Sequence, residues 1–313
     1  MRNLKVTEAL PENSKRYFSE LLYTQPNFLI GNNQLPQIHF YLLDNATKVG
    51  VGHIGFSFEE GTAFSPYRAP FGGFALAHDL TSTEITFFIF EVLRKLKEQG
   101  VNSIQMKLAP DCYFINTLLQ KENLIYAGFE LMEELEYQAI SVTDQAFELN
   151  LASMEVRKLK KCKEAGFTFS RLPKHKLADV FDFVKNQRQK KGYEFSMDWP
   201  QLKLAQKLNT EAYIPFVVKD GERIIAATIG ILASDKVLYN FSPAHHPEYD
   251  QLSPVVLLTE GLYDFCRAKE LNYLDLGTSY LNGRVNEGLK QFKSHLGGQS
   301  FLSYSFRKAV SYH

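Results

Sequence analysis

Two stretches of this chain repeat one order of elements at a nearly fixed spacing, and that repeat limits what the chain can fold into. QIHFYLLDNATKVGVGHIGFSF (37–58) and YIPFVVKDGERIIAATIGILAS (213–234) both read strand, turn, strand. FSPYRAPFGGF then sits where LYNFSPAHHPEYD sits. A helix beginning near Ile85 matches one beginning at Val255, an offset of 170, and a strand from Ile104 matches one from Tyr273, an offset of 169. A near-constant offset across a helix and a strand points to a duplicated unit. Helices between strands make part of each sheet parallel. The expected fold is therefore α/β of the α+β kind: two tandem units, at 1–148 and 149–313, each a mixed, mostly antiparallel sheet with flanking helices. A length of 313 residues fits two cores better than one.

In the first unit, residues 14–23 (SKRYFSELLY) predict a short amphipathic helix with Phe18, Leu21 and Leu22 inward. A hairpin follows over 37–58. The segment 59–76 predicts a strand, a shaped loop around Pro66–Pro70 and a strand from Gly72. Thr81 and Glu84 form a capping box ahead of a helix whose inward face carries Ile85, Phe88, Ile89, Val92 and Leu96. A strand (103–110), a helix (112–122) and a strand (134–142) close the unit. The second unit opens with helices at 152–166, 176–192 and 198–208, the last capped by Asp198. A hairpin turns at Asp220-Gly221. Then come the strand VLYNF, the loop SPAHHPEYDQLSP, the helix VVLLTEGLYDFCRAKE, the strand YLDLGTS, a helix within EGLKQFKSHLGG and a closing strand at 301–308.

Lysine plus arginine and aspartate plus glutamate each number 35, so no global basic field draws the chain to nucleic acid, although a local patch stays open. The cysteines, Cys112, Cys162 and Cys266, are widely spaced and odd in number, which argues against a disulfide framework or a zinc knuckle. The first residues lack a signal-peptide apolar run, and no stretch approaches the ~20 apolar residues a membrane span needs. The expectation is a cytoplasmic protein without a membrane span and without a metal.

One unit, as helix, hairpin, strand, helix, strand, helix, strand, resembles the GNAT acyltransferase fold. Two such units, with SPYRAPFGGF (65–74), VRKLKKCKEAGFTF (156–169) and YLDLGTS…GLKQFKSHLGG (273–298), resemble the FemAB-like branch of that superfamily over most of the chain. The most specific piece is a strand ending in Asp-x-Gly followed by Gly-Leu-x-x-Phe-Lys-x-x-Leu-Gly. The resemblance implies transfer of an acyl or aminoacyl group onto an amine. The donor would be acyl-CoA, as in other GNAT enzymes, or aminoacyl-tRNA, as in the Fem peptidyltransferases that act on peptidoglycan precursors. A small-molecule or cell-wall-precursor amine would be the acceptor. Two family features are missing. Neither ALAHDLTSTE nor SPAHHPEYDQLSP contains the Gly-rich turn that holds the pyrophosphate of CoA, and the long helical arm of the classical Fem enzymes is absent.

Against that background the polar residues at strand ends and loops take roles. His245, beside His246, offers a neutral imidazole as base, or is an exposed loop residue. Asp275 accepts the amine proton or orients the amine, or else caps the turn before Gly277. Asn240 hydrogen-bonds the donor, or is an edge-strand Asn bonded to backbone, and the backbone at Asn240–Ser242 holds the developing oxyanion. Ser279 lies just beyond Asp275 on the substrate side. Lys290 and Lys293 share a helix face at i, i+3 and, with Arg284, bind phosphate or form a solvated face. Arg68, between Pro66 and Pro70 and next to Tyr67, is held for an anion, and Gly72 and Gly73 admit close backbone approach, or the loop only packs against the second unit. The basic runs 157–163 and 185–191 touch tRNA or are solvated surface. The resulting expectation is an N-acyltransferase whose site is shared between the 65–74 loop and the 236–298 stretch. The rival is a catalytically inactive GNAT-fold module for ligand binding or protein interaction, favoured by the missing Gly-rich turn.

Overall fold

The structure, a computed structural model, describes residues 2–33, 35–113, 116–192, 197–281 and 283–310. The chain divides into two compact units, one of Met1–Leu135 with Leu302–His313 and one of Glu136–Phe301.

The first unit runs β1 (Leu4–Thr7), α1 (Pro26–Asn33), β2 (Gln37–Asp44), β3 (Val49–Glu59), β4 (Thr62–Ser65), β5 (Ala75–Leu76), α2 (Ser82–Glu98), β6 (Ser103–Lys107), α3 (Thr117–Tyr126) and the start of β7 (Glu130–Ser141). Its strands pair in the order β1-β2-β3-β4-β6, with β5 against β3. All pairs are antiparallel except β4 with β6. Alternation along β2 and β3 turns Phe40, Leu42, Ile54 and Phe56 to the core, where they meet Ile85, Phe88, Ile89, Val92 and Leu96 of α2. The α2 helix starts where its chemistry dictates: the Thr81 hydroxyl accepts the Glu84 amide, and the Glu84 carboxylate accepts the Thr81 amide at 2.9 Å.

The second unit contains α4 (Ser153–Glu164), β8 (Thr168–Arg171), α5 (Leu177–Lys190), α6 (Trp199–Leu208), β9 (Tyr213–Asp220), β10 (Arg223–Leu232), β11 (Val237–His245), α7 (Val255–Ala268), β12 (Tyr273–Thr278), the short pair β13 (Tyr280–Leu281) and β14 (Arg284–Val285), and α8 (Glu287–His295). Its order is β8-β9-β10-β11-β12-β7. Again all pairs but one are antiparallel, the exception being β11 with β12. Leu159 and Cys162 of α4 and Val256, Leu258 and Leu262 of α7 join Phe216, Val218, Leu238 and Leu274 in one core. The α5 helix packs on β9, β10 and β11, burying Leu177, Val180, Phe181 and Val184.

The elements that match at an offset of about 170, α2 with α7 and β6 with β12, occupy the same place in the two strand orders. The last strand is β15 (Gln299–Ala309). It pairs through Ser305–Ala309 with β6, whereas β7 pairs through Tyr137–Ser141 with β12. Each unit is therefore completed by the strand that ends the other half of the sequence.

The helix expected over 14–23 is not formed. Arg16 bridges to Gly50, with the Tyr17 amide donating to Gly50 O and the Gly50 amide to Lys15 O, both at 2.8 Å. The exposed backbone beside β3 offered hydrogen bonds that the short helix would have lacked. Leu21 and Leu22 are buried nonetheless, at the start of a 3-10 turn over Leu22–Thr24. The helix expected at 112–122 starts later, at Thr117, and runs to Tyr126. Among the described residues no helix is long and apolar enough to cross a membrane.

Candidate active site

In the second unit β11 and β12 run side by side for three residue pairs, from Val237 opposite Tyr273 to Tyr239 opposite Asp275, and then part. Both strands carry the cause. On β11 a bulge places Ser242 and Pro243 between the pairs Ala227–Ala244 and Ile229–Phe241, with Ser242 in the left-handed region at φ 56°. On β12 the chain turns at Gly277, whose φ of 72° suits glycine, and the register against β7 shifts between Asp275 and Thr278. A cavity of about 630 Å³ lies here, lined by β11, the end of β12, α5 and α8.

Lys293, on α8, lines this cavity although it is only 7% exposed. Its ammonium donates to Gly277 O at 2.9 Å and to Thr278 O at 2.7 Å. An ammonium has three N–H groups, and the third has no protein acceptor among the described residues. Burial pulls the lysine down to about 8, and the Asp275 carboxylate opposes that fall. The side chain thus stays mostly protonated at neutral pH and presents one donor to the cavity.

Asp275 is fully buried, and its carboxylate accepts the Gly277 amide at 2.6 Å. It is not among the residues lining the cavity. It fastens the turn whose carbonyls hold Lys293, and its charge acts on Lys293 and on Tyr239, whose hydroxyl is pushed up first by burial and then by Asp275. Asn240 lines the cavity and is 4% exposed; its Oδ1 accepts the Thr228 hydroxyl at 2.6 Å. That bond orients the amide so that its NH₂ is the end left for a ligand.

His245 also lines the cavity, and its Nε2 lies 2.6 Å from Asp250 Oδ1. Burial holds the imidazole below its ordinary value, with Asp250 pulling the other way. With Nε2–H given to Asp250, Nδ1 is the basic nitrogen. The neighbouring His246 instead meets Arg223 at 3.0 Å.

The other predicted residues go elsewhere. Ser279 donates to Gln138 Oε1 at 3.1 Å, and Gln138 in turn donates to Lys290 O and Ser294 Oγ. Lys290 reaches Glu136 at 2.6 Å, so the two lysines of one helix face part company: one enters the cavity and one pairs at the surface. The basic run on α4 is engaged with carboxylates, Lys163 with Glu148 and Glu260, both at 2.8 Å.

Arg68, Tyr67, Gly72 and Gly73 lie in the first unit. Arg68 is exposed, sits at φ 48°, and lies over the Tyr67 ring at 5.1 Å, while the Tyr67 hydroxyl donates to Glu59 at 2.8 Å. The close approach that the glycines permit is of the chain to itself. A Cβ at Gly72 would stand 2.9 Å from Pro66 N, and one at Gly73, at φ 83°, would stand 2.5 Å from Leu108 Cδ2. Gly72 bridges to Leu108 and donates to Lys107 O at 2.7 Å, so backbone extends the β4–β6 pairing, whereas the corresponding strands of the second unit, β11 and β12, stop pairing.

Two residues, one beside the cavity and one lining it, carry weaker sequence signals. Asp250 stands five residues after His245 in the same loop. Gln187 falls three residues after Val184 on the inward face of α5, a polar residue where the period calls for an apolar one.

Known proteins resemble this chain in a family model and in fold. The acetyltransferase (GNAT) domain family matches residues 153–294. Comparison with curated proteins yields no match. Among solved structures, FemX is similar over 93% of this chain and 92% of its own, at 11% identity and a TM-score of 0.73. L-PGS from Bacillus licheniformis is similar over 82% of this chain and 81% of its own, at 12% identity and a TM-score of 0.52. A tandem GNAT protein from the clavulanic acid biosynthesis pathway is similar over 99% of this chain and 100% of its own, at 8% identity and a TM-score of 0.50. Residues 153–294 therefore match the acetyltransferase (GNAT) domain family, and the chain shares its fold with FemX and with a tandem GNAT protein.

Proposed function

We propose that the second unit transfers an acyl or aminoacyl group from an activated donor, acyl-CoA or aminoacyl-tRNA, onto an amine. The observation that carries this reading is the buried Lys293 ammonium with one donor left for the cavity. The amine nitrogen attacks the donor carbonyl carbon, and a C–N bond forms while the carbonyl oxygen becomes negative. Lys293 and the Asn240 NH₂ donate to that oxygen; a preorganised donor in a dry site stabilises an oxyanion far more than water does. Nδ1 of His245 takes the amine proton, and Asp250 holds the ring and stabilises the imidazolium. Collapse breaks the C–S or C–O bond and releases the thiol or the tRNA hydroxyl, which carries away a proton. Holding amine and carbonyl together supplies much of the remaining acceleration. Asp275 is a positioning residue in this scheme, acting through Gly277 and Lys293.

Loop 246–254 has no glycine, but α7 begins without a side-chain cap, and Val255 at its first turn lines the cavity. Unused amides there suit an anionic part of the donor. Incubating the whole chain with acyl-CoA or charged tRNA and a panel of amines tests the reading. Amide product with stoichiometric release of thiol or of uncharged tRNA is expected. Binding of both donors with neither product would instead support a non-catalytic module.

A further inference from the structure

One polar side chain on the wall that α5 gives to the cavity is used by no step above. Gln187 lines the cavity from the last turn of that helix. The preceding residues on the same buried face, Leu177, Val180 and Val184, are apolar, so packing alone does not call for an amide there. Gln187 is 5% exposed, and its Oε1 is buried without a hydrogen-bond partner. A carboxamide oxygen that has given up water is normally paired, and at a cavity wall the partner it lacks is an N–H or O–H of whatever enters.

The neighbouring contacts say what that group faces. Lys191 comes one helical turn after Gln187, and its ammonium pairs with Asp250 Oδ1 at 3.9 Å. The same Asp250 oxygen lies 2.6 Å from His245 Nε2. The end of α5 therefore stands against the His245 loop, and Gln187 and His245 border one space. Lys293 and the Asn240 NH₂ are donors there, suited to a carbonyl oxygen. His245 Nδ1 and Gln187 Oε1 are acceptors, suited to a nitrogen that carries hydrogens.

We propose that Gln187 holds the acceptor nitrogen, its Oε1 accepting the N–H that His245 does not take. This rests on the transfer reading above and adds the residue that reads the amine. When a primary amine attacks the carbonyl carbon, its nitrogen carries two N–H bonds. One proton passes to His245 Nδ1. The other stays on nitrogen, becomes the N–H of the product amide, and is held by Gln187 throughout. A secondary amine has a single N–H, which His245 needs, and it leaves Gln187 unpaired.

Equilibrium binding tests the assignment without turnover. Aniline, uncharged at neutral pH, offers two N–H bonds and an apolar ring for the surface around Leu276, Leu289 and Phe292. N,N-dimethylaniline offers the ring with no N–H. Both are titrated into the whole chain and into Gln187→Met, which keeps the length of the side chain and removes its amide. The variant should bind aniline about tenfold more weakly, roughly 1.4 kcal/mol, and N,N-dimethylaniline no more weakly than wild type. Its denaturation midpoint should hold or rise, because no protein hydrogen bond is lost. An equal effect on both ligands, no binding of aniline to the wild type, or a lowered midpoint overturns the assignment. In single-turnover transfer, wild type should prefer a primary amine to its N-methyl derivative, and Gln187→Met should narrow that ratio about tenfold. A ratio that the variant leaves unchanged also overturns it. Absence of transfer to any amine, with the aniline difference intact, counts against the catalytic reading alone.

Discussion

Lys293 and Asp275 are joined through one residue: the lysine ammonium donates to Gly277 O at 2.9 Å, and the Gly277 amide donates to the Asp275 carboxylate at 2.6 Å. The carboxylate thus shapes the turn that holds the cation and raises the affinity of that cation for its proton.

Replacing Asp275 by Asn separates the two effects. The amide oxygen can still accept the Gly277 N–H, but the negative charge that holds Lys293 up is gone. Burial then lowers the lysine further below about 8. An oxyanion donor must be protonated, so activity is lost as pH rises through its pKa, and the alkaline limb of kcat should move to lower pH. Activity well below that limb should stay close to wild type. A uniform loss at every pH would make Asp275 the proton acceptor instead.

The dyad of His245 and Asp250 makes a prediction at the other end of the profile. Asp250→Ala removes the partner that raises the imidazole, so the histidine titrates lower and the acid limb moves down. The plateau should fall by roughly tenfold to a hundredfold, because the ring loses its orientation. Asp250 is exposed, so the denaturation midpoint should hold. An acid limb that stays in place would remove His245 from the role of base.

The glycines of the first unit answer to stability. Gly73→Ala puts a Cβ 2.5 Å from Leu108 Cδ2 at a φ of 83°. It should destabilise the unit by about 1–3 kcal/mol in urea unfolding. Loss of ligand binding at unchanged stability would show that Gly73 faces a ligand after all.

A second histidine pair gives the first unit a pH signature. His39 Nδ1 and His53 Nε2 are 3.0 Å apart with stacked rings; burial holds His39 to about 4 and His53 to about 3. Both are neutral in the folded chain where the unfolded chain already binds protons. Their contribution is present above pH ~6.5 and is lost as pH falls toward the folded values. His53→Phe, which keeps the ring against Tyr41, should make the acid slope of stability shallower by about one proton, roughly 1.4 kcal/mol per pH unit. An unchanged slope between pH 6.5 and 4.5 would contradict this.

Local chemistry explains which parts of this fold the sequence reveals. The capping box at Thr81–Glu84, the cap at Asp198 and the hairpin at Asp220-Gly221 all form as predicted, because each is settled within a few residues. The segment 14–23 fails the same reasoning because the decisive hydrogen bonds come from Gly50, which no local pattern reports. The exchange of β7 and β15 is hidden for the same reason: alternation tells which face of a strand is buried but not which strand lies beside it. At the cavity, the i, i+3 rule correctly placed Lys290 and Lys293 on one face, yet Glu136 and Gly277 divide them, and both partners lie on other elements.

The most direct test is the transfer activity of Lys293→Met, with Lys290→Ala as control on the same helix. Removing the buried cation relieves its desolvation but strands the carbonyls of Gly277 and Thr278, so the two effects on folding largely offset. Lys290 is half-buried and pairs with Glu136 at the surface, and its variant should keep both fold and activity. Under single-turnover conditions, folded Lys293→Met should transfer at least about a hundredfold more slowly than wild type, as loss of an oxyanion donor requires. A folded Lys293→Met that transfers within a few fold of wild type would contradict the account.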